Sequence, residues 1–235
     1  FVLVAPSDAG PAATLSEVIG RYAAAGVRPL LRDGATVALG GGITLKALAA
    51  AMEPTPLHSA SVAPLLGSLS RQSSIDRYEA GPILAARLGA ECYSLPAPII
   101  CDSAQSREMI HGQSIIRAVL ARSARADLAF ISCGGRRSST LRAMGFVTDA
   151  EMAELTAMGA VGNFLGYFYG ADGAILDHPI NGRVIGLHPD RARAIPSRIL
   201  ISGGPEKTAM LAMLLAGGWA TGLVTDEDTA RRLIA

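Results

Sequence analysis

The sequence predicts an α/β protein built on a doubly wound, mostly parallel sheet. Half of the 235 residues are hydrophobic and only 17% are charged, as expected for a sheet that helices bury on both faces. Short apolar runs alternate with helical runs, and glycine turns separate them at Gly40–Gly42, Gly67-Ser68 and Gly203-Gly204. Turns that lead from a strand into the next helix all lie at one edge of such a sheet. These three turns are therefore expected to line one pocket.

The first part of the chain alternates regularly between strands and helices. Its strands are apolar runs that end at turn residues: Phe1–Ala5, Ala35–Leu39, Ser61–Leu66 and Glu91–Leu95. Its helices are Ala12–Ala24, Thr44–Met52 and Tyr78–Leu88. In the first helix, Leu15, Val18, Ile19 and Tyr22 recur at the spacing of one apolar helix face.

The middle of the chain predicts two further helices, one strand and a less regular segment. The helices flank Gly112, at Ser103–Met109 and Ser114–Arg122, and the strand is Leu128–Ser132. From Ser138 onward the pattern changes, with Thr148 as the expected N-cap of a helix over Asp149–Met158. Short strands and a hairpin-type turn follow, at Val161–Tyr169, Asp172-Gly173 and Val184–Leu187. We interpret this part as a small insertion on the main sheet.

The tail returns to the strand–helix alternation. The expected strands are Ile199–Ser202 and Leu223–Thr225, and the expected helices are Thr208–Leu215 and a final one from Asp226 to Ile234. The chain begins without Met and inside a predicted strand, which favours a fragment of a longer protein.

Charge and composition exclude several classes of protein. The formal net charge is +1, so no general attraction to nucleic acid or to an anionic membrane is expected. No apolar stretch reaches the roughly 18 residues of a membrane-spanning helix, and no signal-peptide pattern is present. Cys92, Cys101 and Cys133 are far apart and lack metal-ligand spacing, which favours reduced thiols in a cytoplasmic protein. No cofactor is expected.

The turn that follows the second strand is the first candidate binding element. It lacks the Gly-Lys-Ser/Thr ending of a P-loop, and Leu45 stands where a dinucleotide fingerprint has its third glycine. What remains is a helix N-terminus that suits an anion or a ligand hydroxyl, formed by Gly41, Gly42, Ile43 and Thr44. A tight turn without a ligand is the alternative.

Lys207 is the second candidate, in the glycine turn of the tail. It is one of only two lysines, and a lysine near a helix N-terminus opposes the helix dipole unless an anion lies beside it. We therefore expect Lys207 to contact a ligand. The alternative is a solvated lysine paired with Glu206 or Glu227.

Loop residues elsewhere complete the candidate list. Polar and basic side chains near two glycine turns could hold a phosphate or hydroxyls, namely Gly67, Ser68, Arg71 and Gln72 at one turn and Gly135 with the arginines after it at the other. The alternative for these arginines is a solvated loop position. Asp102 could accept hydrogen bonds from ligand hydroxyls or could cap a helix.

The sequence contains no evident set of acid, base and nucleophile, which favours a binding domain over an enzyme. The enzyme alternative is a sugar-phosphate isomerase or deaminase in which Asp102 or Glu91 acts as the base. A purely structural oligomerisation domain is a third possibility.

Several segments, taken in order, resemble the SorC/DeoR-type sugar-binding transcriptional regulators. Ile201–Lys207 and Leu223–Glu227 are similar to the closing signature of that family, and Gly40–Thr44 matches its Gly-x-Gly-x-Thr turn. Further matches are Leu88–Glu91, Leu95–Pro98, Ser139–Leu141, Gly145-Phe146, Gly159–Asn163 and Asp172-Gly173. The resemblance covers essentially the whole chain.

The resemblance implies that residues 1–235 are the effector-binding domain of a regulator whose helix-turn-helix domain is absent from this chain. It implies a Rossmann-like fold related to sugar-phosphate isomerases and deaminases, without their activity. The implied partners are a sugar, sugar phosphate or polyol effector and further copies of the chain, as a dimer or tetramer. Operator DNA would be contacted only through the missing domain.

The resemblance also implies roles for individual residues. Gly42 and Thr44 would contact the phosphate or terminal hydroxyl of the ligand, Lys207 would add positive charge, and Asn163 would recognise sugar hydroxyls. Asn163 replaces a usual aspartate, and Ile43 stands where an arginine or small polar residue is common. Because Ile43 brings no charge, an unphosphorylated sugar or polyol remains open.

Overall fold

The computed structural model describes residues 1–8, 13–69, 79–136 and 140–235. Its strands, in chain order, are β1 (Val2–Ala5), β2 (Thr36–Leu39), β3 (Ser61–Pro64), β4 (Glu91–Cys92), β5 (Leu128–Ile131), β6 (Cys133–Gly135), β7 (Gly162–Phe164), β8 (Tyr167–Tyr169), β9 (Ser197–Ile201) and β10 (Gly222–Asp226). Among these residues, seven strands form one parallel sheet in the order β1-β10-β9-β5-β2-β3-β4. The predicted doubly wound, mostly parallel sheet is confirmed.

The helices of the described residues alternate with these strands. They are α1 (Leu15–Val27), α2 (Ile43–Ala51), α3 (Gly81–Leu88), α4 (Ala104–His111), α5 (Ser114–Ser123), α6 (Thr140–Ala143), α7 (Asp149–Ala157), α8 (Pro189–Ala192), α9 (Thr208–Ala216) and α10 (Glu227–Ile234). Short 3₁₀ helices cover Arg28–Leu30, Pro179–Arg183 and Pro205–Lys207. The expected starts of the first and third helices, Ala12 and Tyr78, lie outside the described residues. None of the described helices is long and apolar enough to span a membrane.

Local capping signals fix where the helices begin. Thr14 caps α1 and Thr148 caps α7, each in a capping box with the glutamate three residues later. The predicted N-cap at Thr148 is confirmed. Asp226 caps α10 by accepting the Thr229 N–H at 3.0 Å.

Side chains of alternate residues in the central strands pack into two apolar layers, one on each face of the sheet. In β5, Phe130 joins the layer under α1, α2 and α3, whereas Ile131 joins the layer under α5 and α9. Leu200 and Ile201 of β9 divide in the same way. Both faces are therefore buried, which explains the high share of hydrophobic residues.

Helices α1 and α2 make an unusually close contact through Gly20. A Cβ atom at this position would lie 2.5 Å from the Thr44 carbonyl oxygen and 2.8 Å from the Leu48 backbone nitrogen. Only a residue without a side chain allows the two helices to approach so closely. This contact fixes the position of the first turn of α2.

A small antiparallel sheet of β6, β7 and β8 follows β5 and corrects one sequence prediction. Gly135 was expected to lie in a glycine turn, but it belongs to β6 together with Gly134. These two residues pair with Gly162 and Asn163. The hairpin turn between β7 and β8 is Leu165-Gly166, where both residues have positive φ, at 49° and 84°. Glycine pairs also occur where neighbouring strands approach closely, so their presence alone did not identify a turn.

The remainder of the insertion is held by isolated bridges rather than by the expected regular strands. Tyr169 bridges Ile175 across the predicted Asp172-Gly173 turn. In place of a strand at Val184–Leu187, single bridges join Val184 to Ile100 and Gly186 to Leu66.

The order of strands defines a switch point between β2 and β5. From β2 the chain moves outward to β3 and β4, whereas from β5 it moves in the opposite direction to β9 and β10. The loops that leave the carboxyl ends of β2 and β5 therefore diverge. In open α/β sheets this divergence creates the crevice in which ligands bind.

Candidate functional site

A cleft of about 380 Å³ lies at this switch point. The turns that follow β2, β5 and β9 line it, together with the start of α1 and the tip of the β7–β8 hairpin. Its volume falls in the range of small-molecule pockets. The geometry thus brings together loops that are distant in sequence around one candidate site.

The first turn of α2 forms one wall of the cleft. Gly42 precedes the helix with φ of 109° and ψ of 172°, and no side chain caps it. Thr44 is 4% exposed and Ile43 is 45% exposed, and both line the cleft. The first N–H groups of a helix lack intrahelical partners and attract negative charge, so this wall suits an anion or a hydroxyl oxygen.

The opposite wall is the turn between β9 and α9. The Lys207 N–H donates to the Gly204 carbonyl at 3.0 Å, which closes the turn. Lys207 is half-buried and lines the cleft beside Glu206. Among the described lining residues, Lys207 is the only cation and Glu206 the only carboxylate.

The end of β5 and the β7–β8 hairpin form a third part of the polar surface. Asn163 is 8% exposed and packs against Gly134, where a Cβ atom would lie 2.4 Å from its Nδ2. Cys133 donates to the Ser202 hydroxyl at 3.5 Å. Burial raises the pKa of the Cys133 thiol, so this group is neutral at physiological pH. Within the described parts of the chain, no three His, Cys, Asp or Glu side chains are placed to hold a metal ion.

Asp226 is a buried carboxylate behind the Lys207 wall. Burial acts to raise the pKa of this carboxyl, but hydrogen bonds from Thr229 and Gly204 outweigh burial and hold the pKa below its usual value. A carboxyl with a depressed pKa stabilises the folded state above its unfolded pKa of about 4, and this contribution is lost as the pH falls through the folded-state value.

We therefore expect Asp226→Asn to lower the free energy of unfolding by about 2 kcal/mol at pH 7. The difference from the native chain should shrink as the pH falls below about 4, because the native carboxylate becomes protonated. Urea unfolding of both proteins at pH 7 and pH 3 measures this. A difference that stays constant with pH would show that the charge of Asp226 does not stabilise the fold.

The structure brings half of the predicted site residues into the cleft. These are Gly41, Gly42, Ile43, Thr44, Asn163 and Lys207. They come from the turn and first residues of α2, from β7 and from the turn before α9. The parallel topology explains why the two turns converge.

Gly67 and Ser68 line a smaller neighbouring cavity of about 110 Å³, which shares Gly41 with the cleft. The Gly67 N–H donates to the Ile185 carbonyl at 3.0 Å, and the Ser68 N–H donates to the Ala97 carbonyl at 2.8 Å. Both backbone donors are therefore already used within the protein. Arg71 and Gln72 lie outside the described residues.

Asp102 and Gly135 do not line the cleft. Asp102 lies in a separate surface depression with Glu151, His178 and Arg183. Its alternative role as a helix cap is wrong, because Ser103 caps α4. Gly135 is buried in β6, opposite Gly162.

Several polar cleft residues were missed by the sequence analysis: Thr14, Ser16, Ser132, Cys133 and Thr140. Ser132 and Cys133 directly follow β5, so their position after an apolar strand at the switch point was the available signal. Thr14 and Ser16 enter from the start of α1, and nothing in their local sequence indicates this.

Comparisons with known proteins identify the family of this chain and several of its relatives. The family described as "Putative sugar-binding domain" (Sugar-bind) matches residues 1–235. The chain is 29% identical over 204 residues to the erythritol catabolism regulatory protein EryD of Brucella abortus, covering 86% of this chain and 64% of that protein. It is 29% identical over 228 residues to the deoxyribonucleoside regulator of Bacillus subtilis, covering 94% of this chain and 71% of that protein.

A solved structure shows the same fold. The full-length sorbitol operon regulator SorC of Klebsiella pneumoniae superimposes with a TM-score of 0.86 at 21% identity, covering 100% of this chain and 76% of that one. The chain thus spans 64–76% of the length of these three proteins. The family and these relatives are named as sugar-binding domains or transcriptional regulators rather than as enzymes. This chain belongs to the Sugar-bind family, the sugar-binding domain of SorC/DeoR-type transcriptional regulators.

Proposed function

We propose that this chain is the effector-binding domain of a bacterial transcriptional regulator and that its effector binds in the cleft at the switch point. One observation carries the proposal: the uncapped N-terminus of α2 and the Lys207 turn face the same cleft. Together they offer backbone N–H groups, a hydroxyl and one positive charge to a single ligand.

The effector class that fits these groups is a small sugar or polyol, recognised at one end as a phosphate ester. The names of the relatives refer to erythritol, deoxyribonucleosides and sorbitol, which are or contain small polyhydroxylated units. Thr44 and Asn163 supply groups for ligand hydroxyls, whereas Lys207 and the α2 N-terminus favour an anionic end.

Regulation would follow from linkage between effector binding and assembly. In the proposed mechanism the ligand bridges the β2–α2 and β9–α9 turns, which come from opposite sides of the switch point. Ordering these turns changes the contacts between copies of the chain, as a dimer or tetramer, and thereby the spacing of DNA-binding domains elsewhere in a cytoplasmic regulator.

The isomerase or deaminase alternative loses its candidate bases in this geometry. Asp102 lies in a different depression, and Glu91 is exposed on β4, where it accepts the Tyr93 hydroxyl at 2.7 Å. Neither lines the cleft.

A thermal-shift panel tests the proposal. The panel contains sugars and polyols of four to six carbons, each with its phosphate ester. We expect at least one member to raise the melting temperature, because a ligand at 100 times its Kd adds about 2.7 kcal/mol of stability.

The variant that tests the site itself is Thr44→Val, which keeps the shape of the side chain and removes its hydroxyl. This variant should melt within a few degrees of the native chain and respond less to the same ligand. A folded native protein that no member stabilises would contradict the proposed function, and turnover of a sugar phosphate by the native protein would favour the enzyme alternative.

A further inference from the structure

A buried carboxylate outside the cleft holds the turn that carries Lys207. Asp226 is 1% exposed, and its Oδ2 accepts the Gly204 N–H at 2.8 Å. The hydroxyl of fully buried Thr229 accepts the same N–H at 2.8 Å. We propose that Asp226 is a positioning residue of the effector cleft, which sets where Lys207 meets the ligand without contacting the ligand itself. The role of Lys207 rests on the proposed function, whereas the control of the turn does not.

Two consecutive hydrogen bonds connect Asp226 to Lys207. Gly204 has φ of 99° and ψ of 150°, a backbone conformation that residues with side chains rarely adopt. Its N–H is held by Asp226, and its carbonyl accepts the Lys207 N–H at 3.0 Å. The backbone conformation of Gly204, which lies between these two hydrogen bonds, therefore determines where the Lys207 side chain begins.

The carboxylate is itself fixed in place. Its Oδ1 accepts the Ser7 hydroxyl at 3.2 Å and the Thr229 N–H at 3.0 Å, so groups from the segment after β1 and from α10 both hold it. Asp226 is not among the residues that line the cleft. Its effect on a ligand must pass through the turn.

The turn is also packed directly against this carboxylate. A Cβ atom at Gly203 would lie 2.2 Å from Asp226 Oδ2 and 2.7 Å from Ile19 Cδ1. The two glycines thus allow the chain to approach the carboxylate closely. Without the carboxylate, the Gly204 N–H would keep only the Thr229 hydroxyl as its partner among the described hydrogen bonds.

Amide hydrogen exchange in the unliganded protein tests the control of the turn. We expect the Gly204 and Lys207 amides to exchange about tenfold faster in Asp226→Asn than in a control variant of lowered overall stability, while amides of β2 and β5, which report global unfolding, exchange at similar rates in the two variants. Val27→Ala serves as the control, because it removes buried volume at the far end of α1. Exchange at Gly204 that is no faster than in Val27→Ala would overturn the proposal.

A milder variant keeps the test decisive if Asp226→Asn does not fold. Thr229→Val leaves the Asp226 carboxylate in place and removes one of the two acceptors of the Gly204 N–H. A local increase in exchange at the turn, smaller than tenfold, is expected. An increase at the turn as large as that expected of Asp226→Asn would show that the Thr229 hydroxyl holds the turn as much as Asp226 does, and would contradict the proposal.

Calorimetry with erythritol 4-phosphate as the probe tests the consequence for binding. Asp226→Asn should weaken its binding about tenfold, whereas Val27→Ala should bind as the native chain does. Equal affinities of the native and Asp226→Asn proteins would overturn the positioning role. If the native protein does not bind the probe, the proposed effector class is called into question, and the exchange experiment alone decides the role of Asp226.

Discussion

Lys207→Ala should weaken the binding of a phosphorylated sugar or polyol by roughly ten- to hundredfold, while the neutral parent compound loses no more than about threefold. A hydrogen bond to a charged group contributes about 1.5–3 kcal/mol when its partner is lost. Lys207 is the single cation among the described cleft residues, so no other described side chain can replace its charge. Calorimetry with the best-bound phosphate ester of the panel and its unphosphorylated counterpart measures both effects.

Lys46→Ala is the matched control for the Lys207 variant. Lys46 is the other lysine of the chain and lies on α2, one turn beyond the cleft wall, without lining the cleft. Its removal changes the net charge equally and should leave both affinities nearly unchanged. Equal losses of both ligands in Lys207→Ala would instead show that Lys207 donates to hydroxyls and that the effector is neutral.

Gly20→Val should destabilise the fold by about 3 kcal/mol and also weaken effector binding. The introduced side chain meets the backbone of α2, which cannot move aside as a flexible side chain can. Relieving the clash requires α2 to move away from α1 and displaces the first turn that carries Gly42 and Thr44. Chemical denaturation gives the change in stability, and a titration at low temperature gives the affinity of the folded protein.

Gly182→Ala is the corresponding control. A Cβ atom at Gly182 would meet nothing within 4 Å beyond its own chain neighbours, and the φ of this glycine is not in the positive range. Its stability should change by less than about 0.5 kcal/mol. A Gly20→Val protein as stable as Gly182→Ala would show that the two helices can separate without cost.

Local patterns predicted the main sheet well because each strand and helix carries its own signal. The apolar run of β5 is bounded by polar and glycine residues, and α7 begins with a complete capping box. Gly42 pointed to a loop that lines the cleft because a backbone with positive φ before a helix needs glycine.

The insertion and part of the site depend on contacts that are distant in sequence. Gly134 pairs with Asn163 in an antiparallel sheet, and no local pattern distinguishes such a strand from a glycine turn. Asp102 follows an apolar segment as a site residue would, yet it lines a depression that is separate from the cleft. Thr14 reaches the cleft only because α1 packs across α2 at Gly20.

The pairing of β1 with β10 has a consequence for the order of folding. β1 lies at the edge of the sheet, and its neighbour β10 is the last strand of the chain. The contact between Ser7 and Asp226 joins residues 219 positions apart, so it closes one of the longest loops in the chain. Contacts of such high sequence separation form late and slow folding. During synthesis β1 would therefore remain without this partner until β10 has been made, and the Lys207 turn would reach its final shape only after that step.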